Sequence, residues 1–326
     1  MKTRTFFLLL FITLNTFSQE NKIYNIKVTS PGTIMNYVDF NSIDSITELT
    51  ISGYINNIDI QATKRMKRLK KLDMSNVIIV YNKETLNSAI KKAYNNYESA
   101  KTGGYSIMFG YVPKKSPQEI QKLKVEADLE AQKLSAYYKS NVIIEDYLFE
   151  EFSSLEYLFL PKNVQSVGYA SFRNCNNLKE IILPPKLSII GDYAFDSCDS
   201  LTQITLPNSM TKIGSNAFED CKSLIKCIIK GNINEIKAWT FDGCVNLEEL
   251  SIPPSVKKFD ICALRECDSL KTIHCYAINA PAIYYDGPLD GDSYYVNKVA
   301  TCYFPKSSTT SYLGSKWGNY FTIKPE

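Results

Sequence analysis

The sequence predicts an α/β solenoid: a right-handed superhelix with a parallel sheet on one face, short 3₁₀ or helical turns opposite, and one helical insertion. Three sets of residues predict it, and each set recurs every 23 residues. They are Cys175, Cys198, Cys221, Cys244 and Cys267; Phe172, Phe195, Phe218 and Phe241; and Leu178, Leu201, Leu224, Leu247 and Leu270. A fixed period of about 20–29 residues is typical of a solenoid, in which each unit buries its apolar face against the next.

Each unit contains a short strand. In one unit, Ile204 and Leu206 alternate with the polar residues Gln203 and Thr205, which predicts a strand with one buried face. Pro207 follows, and because it lacks an N–H group it suits the end of a strand. The strands of successive units should therefore stack about 4.8 Å apart in a parallel sheet.

The rest of the unit turns back toward the next strand. Met210 and Ile213 are expected to point inward, and Gly214 to allow a tight bend without the steric cost of a Cβ atom. Asn216–Phe218 is too short for much helix, so a single turn of the 3₁₀ type is expected there. The ring of Phe218 then fills the core.

The whole unit reads I-G-x-x-A-F-x-x-C-x-x-L-x-x-I-x-L-P, and Ile190 to Pro207 match it throughout. This unit resembles the BspA-like leucine-rich repeats of bacterial surface and secreted proteins. The resemblance covers most of the chain, although Lys237, Asp260 and Leu264 depart from the pattern in the last units. It implies a leucine-rich-repeat superhelix that serves extracellular recognition and adhesion and is generally not catalytic.

The first residues predict a signal peptide for export. Lys2 and Arg4 provide a charged start, Phe6–Leu14 an apolar core, and small residues precede a cleavage site before Gln19. The apolar run is too short for a transmembrane anchor, and no later stretch is long and apolar enough to span a bilayer. No cysteine lies near the cleavage site to carry a lipid. We therefore expect a secreted, periplasmic or cell-surface protein.

The chain divides into five segments. They are 1–18, the signal peptide; 19–76, an N-terminal cap and two divergent repeats; 77–140, a helical insertion; 141–276, the regular 23-residue repeats; and 277–326, a C-terminal cap. In the second segment, alternation predicts strands at Ile23–Val28, Ile46–Ile51 and Leu69–Met74. Leu49 and Leu72 lie 23 residues apart, which is the period of the regular repeats.

A basic run, Lys64–Arg68 followed by Lys70 and Lys71, has two interpretations. It is a patch that binds an anionic glycan or nucleic acid, or it is the solvated face of a helix whose Met66 and Leu69 point inward. We favour the helix, because the run is short and acidic residues lie nearby. The net charge of +3 gives no general bias toward nucleic acid.

Residues 77–140 interrupt the period and predict a helical hairpin. The first helix is expected over Asn82–Ala100. The second follows Ser116–Glu119, which has the pattern of a capping box, and Tyr105–Val112 lies between the two. The apolar stripe of the second helix is Ile120, Leu123, Ala127, Ala131, Leu134 and Tyr138. We expect this stripe to pack on the solenoid of a monomer, and a dimer contact is the alternative.

Two expectations concern the C-terminal segment and the cysteines. Thr301–Pro305 predicts a last strand, and Trp317 is expected to seal the last repeat unless it is an exposed anchor for a ligand. The repeated cysteines are expected to be buried free thiols despite export, because Phe152 takes their place in the earliest regular unit. Cys275 and Cys302 are the pair at which we would expect any exception.

Reactive groups for a catalytic site are scarce. His274 is the single histidine, lies at an outward strand position, and is expected to be an exposed imidazole. No phosphate-binding loop, dinucleotide fingerprint, nucleophile elbow or metalloprotease motif occurs in the sequence. The nine cysteines do not have the spacing of metal ligands. We therefore predict a protein that is not an enzyme and that holds no cofactor and no metal.

The second and fourth residues after each leading leucine should point outward and form two columns on the strand face. The candidate partner-binding residues are Tyr157, Glu180, Gln203, Lys226 and Glu249 in column one, and Phe159, Ile182, Thr205, Ile228 and Ser251 in column two. Tyr157 and Phe159 would place aromatic rings outside the core. This is typical of a binding hot spot, unless the insertion covers them.

These observations favour an exported, non-catalytic binding module. It would recognise a protein or a glycan at the cell envelope or on a host surface through its strand face. The alternative is an accessory or catalytic component of a secreted hydrolytic system, with a site at the insertion.

Overall fold

The computed structural model describes residues 22–79, 104–106, 110–112, 115–140, 142–283 and 300–326, together with positions 91, 94, 98 and 101. The predicted signal peptide and most of the predicted helix Asn82–Ala100 lie outside the described residues.

Strands make up most of the regular structure. In chain order they are β1 (Lys22–Val28), β2 (Ile46–Ile55), β3 (Lys71–Ile79), β4 (Gly104–Ser106), β5 (Gly110–Val112), β6 (Val142–Ile144), β7 (Tyr157–Phe159), β8 (Val164–Val167), β9 (Glu180–Ile182), β10 (Ile189–Ile190), β11 (Gln203–Leu206), β12 (Lys212–Ile213), β13 (Lys226–Ile229), β14 (Glu235–Ile236), β15 (Glu249–Ile252), β16 (Lys258–Phe259), β17 (Thr272–Cys275), β18 (Ala282–Ile283), β19 (Thr301–Phe304) and β20 (Thr322–Pro325). The α-helices of the described part are α1 (Asn57–Thr63), α2 (Pro117–Ser140), α3 (Thr309–Leu313) and α4 (Trp317–Tyr320). Short 3₁₀ helices cover Ile34–Tyr37, Ile43–Ser45 and Lys306–Ser308.

Each regular coil contributes one strand to a main face and one to a second face. The main face consists of the sheets β1-β2-β3-β7-β9 and β11-β13-β15-β17-β19-β20, and the second face of β6-β8-β10-β12 and β14-β16-β18. All of these strand pairs are parallel. The register equals the sequence period, because Gln203 lies opposite Lys226 and Lys226 opposite Glu249. The predicted solenoid is therefore confirmed.

The main sheet continues across the insertion. β3 pairs directly with β7, with Leu72 opposite Leu158, although the insertion separates them in sequence. Leu49 lies opposite Leu72, as their spacing predicts. The divergent N-terminal repeats and the first two regular strands, β7 and β9, therefore share one sheet.

The turns opposite the strand face are held by backbone bonds between coils. The N–H of Phe218 donates to the carbonyl of Thr240 in the next coil at 2.9 Å. The predicted turn at Asn216–Phe218 has a bond of the 3₁₀ type, from Glu219 N–H to Asn216 O at 3.2 Å. Asn216 has a left-handed φ of 57°, which prevents the turn from continuing as a helix. The structure thus shows stacked turns there rather than 3₁₀ helices.

Aromatic rings stack through the core of the regular repeats. The rings of Phe149, Phe172, Phe195, Phe218 and Phe241 are fully buried, and successive centroids lie 5.0–5.5 Å apart. Parallel strands hold equivalent residues of adjacent coils about 4.8 Å apart, which places one ring directly over the next. The period of the phenylalanines therefore determines a continuous aromatic column.

The repeated cysteines lie beside this column. The thiol of Cys221 donates to the carbonyl of Phe195 in the preceding coil at 3.1 Å. The same bond is made by Cys175, Cys198, Cys244 and Cys267. All nine cysteines are buried and free, including Cys275 and Cys302, so the expectation of free thiols is confirmed.

The repeated glycines are required by a close approach between coils. A Cβ atom on Gly191 would lie 2.6 Å from the backbone carbonyl carbon of Gly168, and one on Gly214 would lie 2.4 Å from that of Gly191. Neither Gly191 nor Gly214 has a left-handed φ. The steric space of glycine therefore matters here, rather than its freedom to bend.

The basic run after α1 is not a helix. α1 ends at Thr63, and residues 64–69 form turns instead. Met66 and Leu69 are nevertheless fully buried, as predicted, and Arg65 is exposed. The predicted orientation of the run is confirmed and its predicted secondary structure is wrong, because inward and outward positions alternate in a turn as well as on a helix.

The insertion begins its second helix at the predicted place. The N–H of Glu119 donates to Ser116 Oγ at 3.4 Å, and the N–H of Ser116 donates to Glu119 Oε2 at 3.1 Å, which is a capping box. β4 and β5 form an antiparallel hairpin ahead of it. The hydroxyl of Tyr94 donates to Asp128, so α2 is joined to helical residues on the other side of this hairpin.

The predicted apolar stripe of α2 can be followed as far as Ala131, because the side chains of Leu134 and Tyr138 lie outside the described part, and the followed portion is covered only in part. Ala127 is buried, whereas Ile120, Leu123 and Ala131 are half-buried. No α2 residue in the described part belongs to the buried core of the solenoid. Packing of the insertion on the solenoid or on a second copy therefore stays a prediction.

The C-terminal segment closes the solenoid. Trp317 is 1% exposed, its Nε1–H donates to the carbonyl of Pro281 at 2.8 Å, and its ring meets Phe259 edge-on at 5.3 Å. The predicted sealing role of Trp317 is confirmed, and the alternative of an exposed anchor is wrong. β19 is the predicted strand, but β20 follows it and forms the edge of the sheet.

A ladder of charged residues crosses the turns, and in its middle Asp196 and Glu219 form no ion pair with a described residue, although Ser197 and Asn216 donate hydrogen bonds to them. Arg173 pairs with Glu150 at one end, and Arg265 with Asp242 at the other. Between them, burial raises the pKa of Asp196, and repulsion from Asp220 raises it further. Burial, followed by repulsion from Asp196, also raises the pKa of Glu219.

Replacing Asp196 with asparagine should stabilise the protein at pH 8 by about 0.5 kcal/mol, the scale of a like-charge pair on adjacent strands. A raised pKa means that this carboxyl favours folding below its ordinary pKa of 3.8 and loses that contribution as the pH rises through its folded-state value. The gain of the variant should therefore appear at pH 8 and vanish near pH 3, as measured by urea unfolding. Asp199→Asn is the control, because Asp199 pairs with Lys222 at 3.2 Å and its loss should not stabilise. An equal gain at both pH values would contradict the charge explanation.

Candidate functional site

The register of the main sheet places the candidate residues in two outward columns. Tyr157 lies opposite Glu180, and Gln203, Lys226 and Glu249 follow in column one. Column two, from Phe159 to Ser251, is formed by the same strand pairs. The sheet is interrupted between β9 and β11, so each column consists of an early part and a late part.

The columns extend beyond the regular repeats at both ends. At the N-terminal end, Glu48 and Lys71 continue column one. At the C-terminal end, the strand pairs of β17, β19 and β20 add Tyr303 and Lys324 to column two after His274. The resulting face includes residues that lie outside any 23-residue unit.

The candidate residues differ in exposure. Glu180, Ile182, Gln203 and Thr205 are exposed, whereas Tyr157, Phe159, Lys226, Ile228 and Glu249 are half-buried. Ser251 lies in the outward column as predicted, but it is only 8% exposed, so it is not the exposed surface residue that was expected. The reason is its size: Ile228 and His274 lie on either side of it in register, and both side chains extend further from the sheet.

The aromatic pair of the early part lines a pocket. Tyr157 and Phe159 share a cavity of about 350 Å³, which we call the early pocket. Its other lining residues are Thr47, Glu48, Lys70, Lys71 and Glu156. Neither ring belongs to the core of the solenoid. The described part of the insertion contributes no residue to this pocket.

Ion pairs form the rim of the early pocket. Glu156 accepts from Lys179 at 2.9 Å and from Lys70 at 2.9 Å, and these two bonds, in that order, lower the pKa of its carboxyl. Lys71 lies 3.5 Å from Glu48 on the opposite side. The rim is therefore charged but internally paired, and it holds the aromatic floor between fixed polar groups.

His274 is less exposed than predicted. Its ring stacks on Tyr303 at 5.4 Å and on Tyr276 at 6.4 Å, and its Nδ1 lies 3.4 Å from a carboxylate oxygen of Glu326. It does point outward, as predicted, but its side chain is half-buried. Sequence reasoning missed this cluster because Tyr303 and Glu326 come from the C-terminal cap, where the period is absent.

The repeats match a known family of bacterial leucine-rich repeats. Residues 9–106 and 142–271 match the family described as BspA type Leucine rich repeat region, in six copies. These segments make up more than half of the chain. The chain belongs to this family. The resemblance read from the repeat unit is thereby confirmed.

Solved structures of bacterial leucine-rich repeat proteins are similar to this BspA-type chain. A leucine-rich repeat protein from T. pallidum is 25% identical, with 57% of this chain and 78% of that chain covered and a TM-score of 0.37. One from Eubacterium ventriosum is 13% identical, with 93% and 91% covered and a TM-score of 0.39. A leucine rich cell surface protein from Faecalibacterium prausnitzii is 13% identical, with 92% and 79% covered and a TM-score of 0.27. No curated protein matches the sequence.

The cysteines and the acidic groups of the repeats were compared with the requirements of a reactive or metal-binding site. BspA-type leucine-rich repeat proteins are generally non-enzymatic binding modules. Burial raises the pKa of the Cys175 thiol to about 12, and it raises those of Cys198 and Cys244 as well, so these thiols are protonated and shielded. Among the described residues, no cluster of histidine, cysteine and acidic side chains suits a metal ion. None of the described helices has the length and apolar character needed to cross a bilayer.

Proposed function

We propose that the protein is an exported, non-catalytic adhesion module that recognises a protein or a glycan through its strand face. The observation that carries the proposal is the early pocket, where Tyr157 and Phe159 are half-exposed and take no part in the core. Aromatic side chains in a pocket are frequent hot spots, because they bury a large area on binding and lose little conformational freedom.

The rim of the early pocket supports the same proposal. Glu156 already holds Lys70 and Lys179 in place, so a partner does not have to order these long side chains when it binds. Because the charges are paired within the rim, a partner with both apolar and hydrogen-bonding groups suits it better than a highly charged polymer. The partner would lie at the cell envelope or on a host surface.

Export is the second part of the proposal. The charged start, short apolar run and small residues before Gln19 have the pattern of a cleaved signal peptide. The exported protein should therefore begin at Gln19, and an intact Met1 in its mass spectrum would contradict this.

The test combines binding with stability. Tyr157→Ala/Phe159→Ala is compared with wild type on immobilised extracellular proteins and glycans, with Tyr147→Ala as control because Tyr147 is an exposed aromatic in the turns. If the pair contacts a partner, binding falls at least tenfold and the melting temperature changes little. If the insertion covers the pair, the free energy of unfolding falls by about 3–5 kcal/mol instead. Unchanged binding by the double variant would contradict the proposal.

A further inference from the structure

A second pocket lies in the late part of the strand face, where the repeat loses its proline. Most regular strands are followed by proline at the sixth position after the leading leucine, as at Pro207 and Pro253. Lys230 and Tyr276 take this position in the coils on either side of Pro253. Lys230 and Tyr276 therefore place two long side chains directly after the ends of β13 and β17, where the neighbouring coils carry a compact proline ring.

Ser251 lies at the bottom of this second pocket. Its neighbours in register are Ile228 on one side and His274 on the other, and their backbones lie about 10 Å apart, which is two strand spacings. A small side chain between two large ones leaves a depression, which has a volume of about 500 Å³ and which we call the Ser251 groove. Its other lining residues are Asn208, Ile229, Lys230, Glu249, Pro253, Pro254 and Tyr276.

The groove combines apolar walls with unpaired polar groups. Ile228 and Pro253 provide the aliphatic surface, and Tyr276 stacks on His274 at an interplanar angle of 14°. Four side chains in the groove make no hydrogen bond and no ion pair with any described residue. They are Asn208, Lys230, Ser251 and Tyr276.

The charged groups of the groove also differ in whether they have a partner of opposite charge. Glu249 is neutralised by Lys226 at 2.8 Å, and His274 lies next to Glu326. Lys230 has no acidic partner in the described part of the chain. The groove therefore presents one uncompensated positive charge beside hydroxyl and amide groups that both donate and accept hydrogen bonds.

We propose that the Ser251 groove binds one pyranose ring of an acidic glycan. A sugar ring has apolar C–H faces that suit Ile228 and Tyr276, and it carries hydroxyls that can pair with Ser251 and Asn208. A carboxylate on the ring would pair with Lys230. An apolar peptide side chain would fill the same space but leave these polar groups desolvated and unpaired, which disfavours binding.

This inference rests on the proposed use of the strand face, but it concerns a separate place on it. The Ser251 groove and the early pocket share no lining residue. A variant in one pocket should leave binding at the other unchanged, so the two proposals can fail independently.

The experiment titrates the mature protein with D-glucuronic acid and D-glucose by calorimetry, since the two sugars share a ring and differ in the carboxylate. We expect glucuronic acid to bind with a Kd on the order of 1 mM and glucose about tenfold more weakly. Lys230→Met should lower the affinity for glucuronic acid about tenfold, to that of glucose, because it removes one charge-assisted hydrogen bond. Tyr276→Ala should abolish detectable binding of both sugars, and Tyr157→Ala should change neither.

Several results would overturn the assignment. Absence of saturable binding by glucuronic acid, or binding that Tyr276→Ala leaves unchanged, would exclude the groove as a sugar site. Equal affinities for the two sugars, or wild-type affinity in Lys230→Met, would exclude the acidic sugar. Tighter binding of N-acetylphenylalaninamide, which carries no carboxylate, than of glucuronic acid would assign the groove to a peptide side chain. Circular dichroism of each variant should match wild type, because the substituted side chains contribute nothing to the core.

Discussion

Replacing Phe218 with alanine should lower the free energy of unfolding by about 3–5 kcal/mol, measured by urea denaturation. The ring is fully buried and stacks between Phe195 at 5.3 Å and Phe241 at 5.5 Å, so its removal leaves a cavity in the middle of the aromatic column. The stacked turns are tied to their neighbours by backbone bonds, and they cannot collapse freely into that space. The cost should therefore lie near the upper part of the range for a buried aromatic.

Phe40→Ala is the matched control for this prediction. Phe40 is 63% exposed, and the guanidinium carbon of Arg65 lies 6.0 Å from the centroid of its ring. Its loss should cost about 1 kcal/mol or less. If Phe218→Ala lowered the free energy of unfolding by less than about 1 kcal/mol, the aromatic column would not be an important source of stability. Equal costs for the two variants would lead to the same conclusion.

Replacing Trp317 with alanine should have an effect of similar size, about 3–5 kcal/mol. This ring covers the open end of the solenoid, where it contacts Phe259, Tyr312 and Phe321. In a solenoid each coil is stabilised by its neighbours, so removal of a terminal cover exposes the apolar face of the last coil. The lower free energy of unfolding should appear as a lower urea concentration at the midpoint of the unfolding transition.

Two further variants serve as controls for Trp317→Ala. Trp317→Phe isolates the hydrogen bond of the indole, and Trp239→Ala removes the other tryptophan of the chain. Phenylalanine keeps most of the apolar area but leaves the carbonyl of Pro281 without its donor, which should cost about 1–3 kcal/mol. Trp239 is 37% exposed and buries only part of its ring, so its loss should cost about 1–2 kcal/mol, less than the loss of Trp317. The chain has two tryptophans, so in Trp317→Ala the fluorescence comes from Trp239 alone and should shift to longer wavelength. A Trp317→Ala variant as stable as Trp239→Ala would show that the cap does not seal the solenoid.

The two pockets of the strand face differ in how far the sequence predicts them. Tyr157 and Phe159 stand out in the sequence, because aromatic residues at outward positions of a strand conflict with burial of apolar surface. The charged rim cannot be recognised in the sequence, because Lys70 and Lys71 precede the insertion and Glu156 follows it. Only the pairing of β3 with β7 brings them together.

The Ser251 groove was accessible to sequence analysis only in part. The sequence shows that Lys230 and Tyr276 replace the proline of the repeat. It does not show that these two side chains line one groove, because this depends on how the strands pair. The sequence predicted Ser251 as a surface residue because period two alternation assigns a direction to a side chain, whereas its burial depends on the size of the residues beside it. Ile228 and His274 are distant in sequence and become its neighbours through the sheet.

The sequence by itself determined the repeating architecture and the core. A period of 23 residues aligns Phe195 with Phe218 and Cys198 with Cys221, and parallel pairing at that register is the arrangement that buries all of them at once. The tertiary structure alone decided the added strand β20, the partners of His274, and which outward residues form pockets. These features depend on contacts between segments that share no period, and the free energy of such contacts comes from the shape of the assembled surface rather than from any local pattern.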